Sequence, residues 1–452
     1  MPLGLAFIAA ELGRAGHTVA IFDRFAAQFR LGFDIGQVNA AMLDQVKQFQ
    51  PDLVGLSTLS PLIYDTVESA ALVRGVYSGT LVAGGYHATA LPELTLRKIP
   101  ALDTVFTGEG EIALTRLAGG AAPSAIPGVW SRKGGRIVPP PAPAAQIANL
   151  DDLALPAFDL MDTSFYTQRT DGVIRRRNLR AATLVTSRGC YAHCAFCAES
   201  LTYGRGVRWH STAYVLEWIA RVMHDDAVDG IHFHDNDWLA NEARAREICE
   251  ALMQRGWHRR LRWSIQARAD RITPELAKLL KAAGCMLVEI GVEVGTQAEL
   301  DRIGKGSTVA ATKRAVKLCR QAGMDVHAYM LTHLPGETIA DLDQRLAWLR
   351  RNPVTSFQWS PLNIHPGTAM YQEHGGNFFA EHAWTEADVA RYYATDTVSA
   401  IPPPARRAWM ERHYAPYARW RWWLDAVRRH PLPVLFRVAL AKIHKRILRF
   451  AK

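Results

Sequence analysis

Cysteine is scarce, six in 452 residues, too few to staple a fold, and a reducing compartment is expected. No apolar run reaches the roughly 18 residues of a membrane-spanning helix, and no leader-like segment opens the chain. Disorder and collagen-like or coiled-coil composition are excluded, because hydrophobic residues make up 49% and charged residues 21%, close to the globular average. A surplus of acid is also missing, and the net charge is +10. That charge is segregated: residues 405–452 hold 13 Lys+Arg against 2 Asp+Glu, whereas the other 404 residues hold 40 against 41. The body is neutral, so general nucleic-acid affinity is not supported. The length corresponds to two or three domains.

Residues 1–118 alternate helix and strand patterns. Leu3–Arg14 has helical periodicity, HTVAIFD at His17–Asp23 reads as a strand, and a helix follows at about 38–50. Then come a strand Leu53–Thr58, a helix at about 63–77, a strand Leu81–Gly84 and a short strand Thr104–Thr107. Such alternation predicts a parallel α/β sheet. The chain opens in a helix where a strand normally comes first, so the start is expected upstream or the first strand is missing. Residues 119–180 form a linker, Ala/Pro/Gly-rich in AGGAAPSAIPG and VPPPAPAA, and GVWSRKGGRIV between them reads as a hairpin. Residues 181–370 hold six strand candidates separated by helical segments: Ala182–Thr186, Gly230–His234, Leu261–Gln266, Met286–Val292, Asp325–Leu331 and Thr355–Ser360. Six such units predict a barrel or partial barrel with its chemistry at the C-terminal strand ends. Residues 371–452 read as a mostly helical, basic region.

Three of the six cysteines, Cys190, Cys194 and Cys197, stand in SRGCYAHCAFCAES with the spacing C-x3-C-x2-C. Thiolates suit iron–sulfur clusters or zinc. Three ligands on a four-iron cluster leave one iron open, whereas a zinc site would need a fourth ligand, for which His193 is the neighbour available. Cys249, Cys285 and Cys319 read as small buried hydrophobes.

This cysteine motif, with Phe196 before the last cysteine, resembles the radical S-adenosylmethionine superfamily. The resemblance implies a [4Fe–4S] cluster on Cys190, Cys194 and Cys197 that cleaves S-adenosylmethionine to a 5′-deoxyadenosyl radical. In FHDNDWLAN, Asp235 and Asp237 match the family's acidic motif near the S-adenosylmethionine amino group, although an N-cap by Asp237 or Asn241 is the plainer alternative. Arg268 stands where the family places a residue near the cofactor, and its alternative is a surface ion pair. On the fourth strand Glu289, Gly291 and Glu293 share one face, and Glu293 matches the family's GxExG. MLTHLPGET resembles GLPGET with His333 in place of glycine, and Pro366, Gly367, Thr368 and Tyr371 resemble PxPGTxxY.

PLGLAFIAAELGRAGHTVAIFD, PDLVGLSTLSP, LVAGGYHATALPE, FTGEGE and DLALPAFDL resemble the cobalamin-binding domain that precedes this barrel in one subfamily, and the likeness runs over residues 2–371. From the residues alone, Gly84 and Gly85 allow a bulky ligand close to the backbone. Ser57 offers a hydroxyl at a parallel-sheet C-terminal edge, with Leu59 completing S-x-L. D-x-H-x-x-G is missing, so no histidine on cobalt is expected, and His87 reads as a polar edge residue.

The resemblance implies an α/β fold: an N-terminal doubly wound, Rossmann-like parallel sheet, then a partial (β/α)6 TIM-type barrel and a helical C-terminal region. It implies a cobalamin-dependent radical enzyme, a class B-like methyltransferase of an unactivated carbon in a small-molecule or lipid-like biosynthetic intermediate, acting through methylcobalamin. An external electron donor of flavodoxin or ferredoxin type goes with it. The alternatives are a radical cyclase or rearrangement enzyme of tetrapyrrole or lipid biosynthesis, or a non-catalytic corrinoid or iron–sulfur sensor. In the tail, Leu435, Phe436, Ala439, Leu440, Ile443 and Ile447 repeat at three and four among Arg and Lys. That pattern fits a helix docked on the barrel, an anionic membrane surface or an RNA grip. The expected location is cytoplasmic, with peripheral contact on the inner membrane face, and nucleic acid is not expected as a partner.

Overall fold

The computed structural model describes residues 1–393 and 399–421; the apolar repeat from Leu435 to Ile447 lies outside them. The first sheet has five strands: β1 (Leu53–Ser57), β2 (Thr80–Gly84), β3 (Thr104–Phe106), β4 (Val129–Lys133) and β5 (Arg136–Val138), in that spatial order. β1, β2 and β3 are parallel. The hairpin β4–β5 then adds to β3 antiparallel, so the expected linker hairpin extends the sheet. Its turn needs two left-handed residues, supplied by Gly134 and Gly135 at φ +56° and +78°.

Both faces of this sheet are covered. Leu81 and Ala83 of β2 share a core with Met42, Ile63 and Val73 from helices Ile35–Phe49 and Ile63–Arg74, and Val82 shares another with Leu12 and Leu114 from helices Leu3–Arg14 and Gly110–Ala118. His17–Asp23 is not a strand, despite its pattern. β1 pairs with β2 alone among the described strands, so the segment has no neighbouring edge to bond. Asp23 instead caps the helix Arg24–Arg30 through Ala26 N–H at 3.2 Å.

The second sheet contains β6 (Ala181–Leu184); after it comes a two-stranded ribbon of β7 (Ser187–Arg188) and β8 (Arg208–Trp209). The sheet continues through β9 (Gly230–Phe233), β10 (Arg262–Gln266), β11 (Cys285–Glu293), β12 (Asp325–Thr332) and β13 (Ser356–Pro361). All six strands are parallel and in sequential order, with β6 and β13 as open edges. This is the partial barrel the spacing predicts. Its core lies outside the strands, where Phe233, Ile265, Val288, Ile290, Ala328 and Met330 pack against the helices. The alternate positions face inward and are polar, unlike the apolar filling of a closed eight-stranded barrel.

Three arginines ahead of β6 cross the open side. Arg176 Nη1 donates to the Thr355 carbonyl at 2.7 Å, Arg177 Nη2 to Asp325 at 2.6 Å, and Arg175 reaches Gln358 at 3.0 Å. The described part of the basic tail docks on the barrel. Trp409 Nε1 donates to Asp343 at 2.8 Å, Trp409 stacks on Trp359, and Tyr417 donates to the Leu349 carbonyl.

Candidate active site

The three cysteines occupy the loop that leaves β7. Gly189 (φ +90°) makes the turn possible, because a Cβ there would stand 2.2 Å from the Gly206 carbonyl oxygen. The loop is clipped down from two sides. Ala195 N–H donates to the Ile303 carbonyl and Met370 N–H to the Ala195 carbonyl, both at 2.9 Å, and Phe196 packs with Val294, Ile303 and Met370. Burial pushes the Cys197 thiol up to about 11 and raises Cys194 as well, with each thiol opposing its neighbours' ionisation. Buried thiolates need a cation to offset that cost. Yet no three His, Cys, Asp or Glu side chains among the described residues converge on one ion position, and His193 is exposed. That is a donor set for separate irons of a cluster, not for one zinc ion. Cys249, Cys285 and Cys319 are buried away from this loop.

Strand parity corrects two expected contacts. His234 and Asn236 face the open barrel end, while Asp235 and Asp237 turn into the protein and are 0% and 3% exposed. Asp235 accepts from the hydroxyls of Thr186, at 3.0 Å, and Ser187; Asp237 accepts from Arg268 N–H at 3.2 Å. Burial raises both carboxyl pKa values. They fix the ends of β6 and β10 and do not reach a ligand. Asn241, not Asp237, caps the following helix, through Arg244 N–H at 3.1 Å. Arg268 is corrected too: Nη1 and Nη2 hold the carbonyls of Lys305 and Gly306 at 3.0 and 2.8 Å, and Nε meets Asp270 at 3.2 Å.

Glu293 is at the site as expected, paired with Lys305 Nζ at 2.7 Å. Burial alone would lower the Lys305 pKa, but Glu293 and Cys194 beside it outweigh that and raise it. Glu289, its neighbour by parity, goes elsewhere: it accepts from Tyr329 and lies 3.6 Å from Arg175. Glu293 and His333, at the ends of adjacent strands, have φ of +63° and +65°. The left-handed region costs a side-chain-bearing residue about 1–2 kcal/mol, which accounts for glycine being the residue the resembled motif carries at position 333. Here His333 Nδ1 lies 2.7 Å from Thr332 Oγ1.

At the first sheet, the C-terminal ends of β1 and β2 form a shelf. Thr58 Oγ1 donates to the Gly84 carbonyl at 2.8 Å and accepts from Ala88 N–H at 3.0 Å. Gly85 (φ +106°) is required, since a Cβ would stand 2.7 Å from the Thr58 carbonyl oxygen. Ser57 is exposed on this shelf, as are Leu59 (45%) and Leu62 (49%). Exposed leucines beside glycines suit the flat, largely apolar face of a corrinoid. A cavity of about 610 Å³ opens alongside, lined by Thr89, Thr107, Gly108, Trp130, Pro140 and Thr202 among others. His87 is not at the edge. It is fully buried, with Nδ1 3.0 Å from Ser60 Oγ and its ring against Phe379 and Trp384. Burial lowers its pKa to about 3.

Shelf and cysteine loop meet through residues with no motif to announce them. Tyr86 donates to Glu199 at 2.8 Å, and Asn236 Nδ2 donates to the other Glu199 oxygen at 3.0 Å. Glu199 lies two residues past Cys197, and Tyr86 directly follows Gly85. The GG-Tyr succession is the one local signal that points here.

Two family models match the chain: the B12 binding domain over residues 1–118 and the radical SAM superfamily over residues 184–349. An uncharacterized methyltransferase, PH0819, from Pyrococcus horikoshii is 29% identical over 82% of this chain and 78% of that one. An anaerobic magnesium-protoporphyrin IX monomethyl ester cyclase from Cereibacter sphaeroides is 27% identical over 82% of this chain, which spans 60% of that protein's length. Among solved structures, the radical S-adenosylmethionine methyltransferase TsrM from Kitasatospora setae, with cobalamin and a [4Fe-4S] cluster bound, superposes with a TM-score of 0.66. It is 21% identical over 83% of this chain and 75% of that one, a likeness of fold.

Proposed function

The chain belongs to the cobalamin-binding radical S-adenosylmethionine enzymes, and from that premise we propose that it methylates an unactivated carbon of a small-molecule or lipid-like biosynthetic intermediate. The carrying observation is the Tyr86–Glu199–Asn236 bridge, which sets the cysteine loop directly against the shelf of β1 and β2. When bound, the [4Fe–4S] cluster and S-adenosylmethionine supply a radical, and cobalamin supplies the methyl group.

The residues divide the work. Cys190, Cys194 and Cys197 hold the cluster. The Glu293–Lys305 pair and Asn236, on the open face beside Cys194 and Glu199, orient S-adenosylmethionine. Ser57, Leu59, Leu62, Gly84 and Gly85 form the cobalamin shelf. Asp235, Asp237 and Arg268 are positioning residues that hold the strand ends and the Lys305 loop. The experiment is anaerobic turnover with S-adenosylmethionine and a flavodoxin-type donor. Deoxyadenosine and a product heavier by one methylene are expected; deoxyadenosine with an unshifted product mass overturns methylation.

A second reading, a radical cyclase, is favoured by the likeness to the Cereibacter enzyme, and the same mass measurement separates the two. The reading also includes a cytoplasmic location with peripheral membrane contact through the basic segment beyond Arg421. Each Lys or Arg near an anionic surface contributes about 1 kcal/mol. The full chain should float with anionic vesicles at low salt, and a chain ending at Arg421 should not. Equal behaviour of the two rejects the contact.

A further inference from the structure

The inner wall of the barrel carries a polar set that the cofactor assignments leave unused. Ser264 Oγ lies 2.8 Å from His232 Nδ1, and His232 Nε2 lies 3.1 Å from His234 Nδ1. Gln266 Nε2 donates to the same His234 nitrogen at 2.9 Å. This wiring has one consistent solution. His234 Nδ1 receives an amide N–H, so it is an acceptor, and the ring proton sits on Nε2. His232 then donates from its own Nε2 and accepts the Ser264 hydroxyl at Nδ1. His234, exposed on the open face, therefore offers a donor to the lumen.

The neighbouring strands treat charge in the opposite way. Glu289 is 2% exposed and occupied by Tyr329 and Arg175, so its carboxylate is withdrawn. Arg175 keeps 33% of its side chain exposed and meets Tyr329 and Gln358 through Nη2, at 3.3 and 3.0 Å. Its charge reaches the same cavity, because it opposes protonation of His232 and His327. The polar groups left facing solvent are donors, and the one carboxylate of this layer is sequestered. An apolar substrate would desolvate Arg175 and His234 without replacing their bonds.

We propose that the lumen recognises its substrate by an anionic oxygen group, a carboxylate or a phosphate-type group, held between the Arg175 guanidinium and His234 Nε2–H. The proposal rests on the methyltransferase reading and narrows its substrate to a charged, water-soluble molecule. Arg175, placed by the strap that closes the open barrel, acts here as a binding residue.

Benzoate and its neutral isostere benzamide are the probes, titrated calorimetrically into the reconstituted full-length chain without S-adenosylmethionine. Benzoate should bind at least about tenfold more tightly than benzamide. Arg175→Met and His234→Gln should each weaken benzoate by about 10- to 100-fold, while benzamide and an Arg246→Gln surface control stay unchanged. Equal binding of the two probes, no benzoate binding, or benzoate binding that survives both substitutions overturns the site. If Arg175→Met loses its iron–sulfur absorbance through misfolding, His234→Gln decides. Binding is read without S-adenosylmethionine, so failure of this site and failure of the radical chemistry give different results.

Discussion

Replacing Cys190, Cys194 and Cys197 together by alanine should abolish the broad visible absorbance of the anaerobically reconstituted chain and reduce deoxyadenosine formation to background. The expectation rests on how the loop is built. Its backbone is clipped to Ile303 and Met370 by its own amide and carbonyl groups, none of which involves a thiol. Alanine should therefore leave the loop's path intact and remove only the donors. Cys194 and Cys197 also resist ionisation where they sit, so retaining them as thiols beside Glu293 brings no stability that a fold-based role would explain. The parallel triple replacement of Cys249, Cys285 and Cys319 should keep the absorbance, because each is enclosed by apolar neighbours in the barrel core. Absorbance that survives the first replacement, or is lost in the second, would falsify the ligand assignment.

The six barrel strands were legible because each carries its own signal. One face of each strand packs under helices, giving a short β-rich apolar pattern bounded by turn residues. His17–Asp23 carries the same local signal without becoming a strand, since a strand also needs a neighbour's edge and local pattern says nothing of that. The acidic motif shows a related limit. Its residue types were legible, yet period two places Asp235 and Asp237 on the enclosed face and His234 and Asn236 on the open one. The alternation could have been applied to those four residues from the sequence, had the inner face been known. Tyr86 and Glu199 are 113 residues apart, and Arg175 reaches Tyr329 across 154. Such pairs arise only when the two sheets and the open barrel edge have been placed. Arg175–Arg177 reads locally as a charge run, and closing a gap between two edge strands is visible only in the fold.

Arg188→Met should cost about 3–5 kcal/mol of stability, because it leaves buried carboxylates without their partner. Arg188 lies two residues before Cys190, with 7% of its side chain exposed. It donates to Glu109 at 2.6 Å and to Glu111 at 2.5 Å, both from the first sheet's β3 exit. Its guanidinium also lies over the rings of Phe7 and Tyr203, at 5.3 and 5.6 Å. Arg208 adds a second bond to Glu109 at 2.7 Å, and Ile147 N–H a third at 2.9 Å. The cluster thus ties the β7–β8 ribbon, which carries the cysteine loop, to the domain that carries the shelf. Methionine keeps the side chain's length and apolar contacts and removes its charge, which isolates the ion pairs. Arg188→Met with Glu111→Gln should cost less than the two single changes added together, since the second removes part of the unpaired charge left by the first. Urea denaturation of the four proteins measures this; additive costs, or a change below about 0.5 kcal/mol for Arg188→Met, reject the latch. Function should split in the same variant. Cluster assembly and deoxyadenosine formation depend on the barrel's own loop and should persist. Methyl transfer needs the loop and the shelf in register and should fall by at least tenfold, the effect of an ångström-scale misplacement.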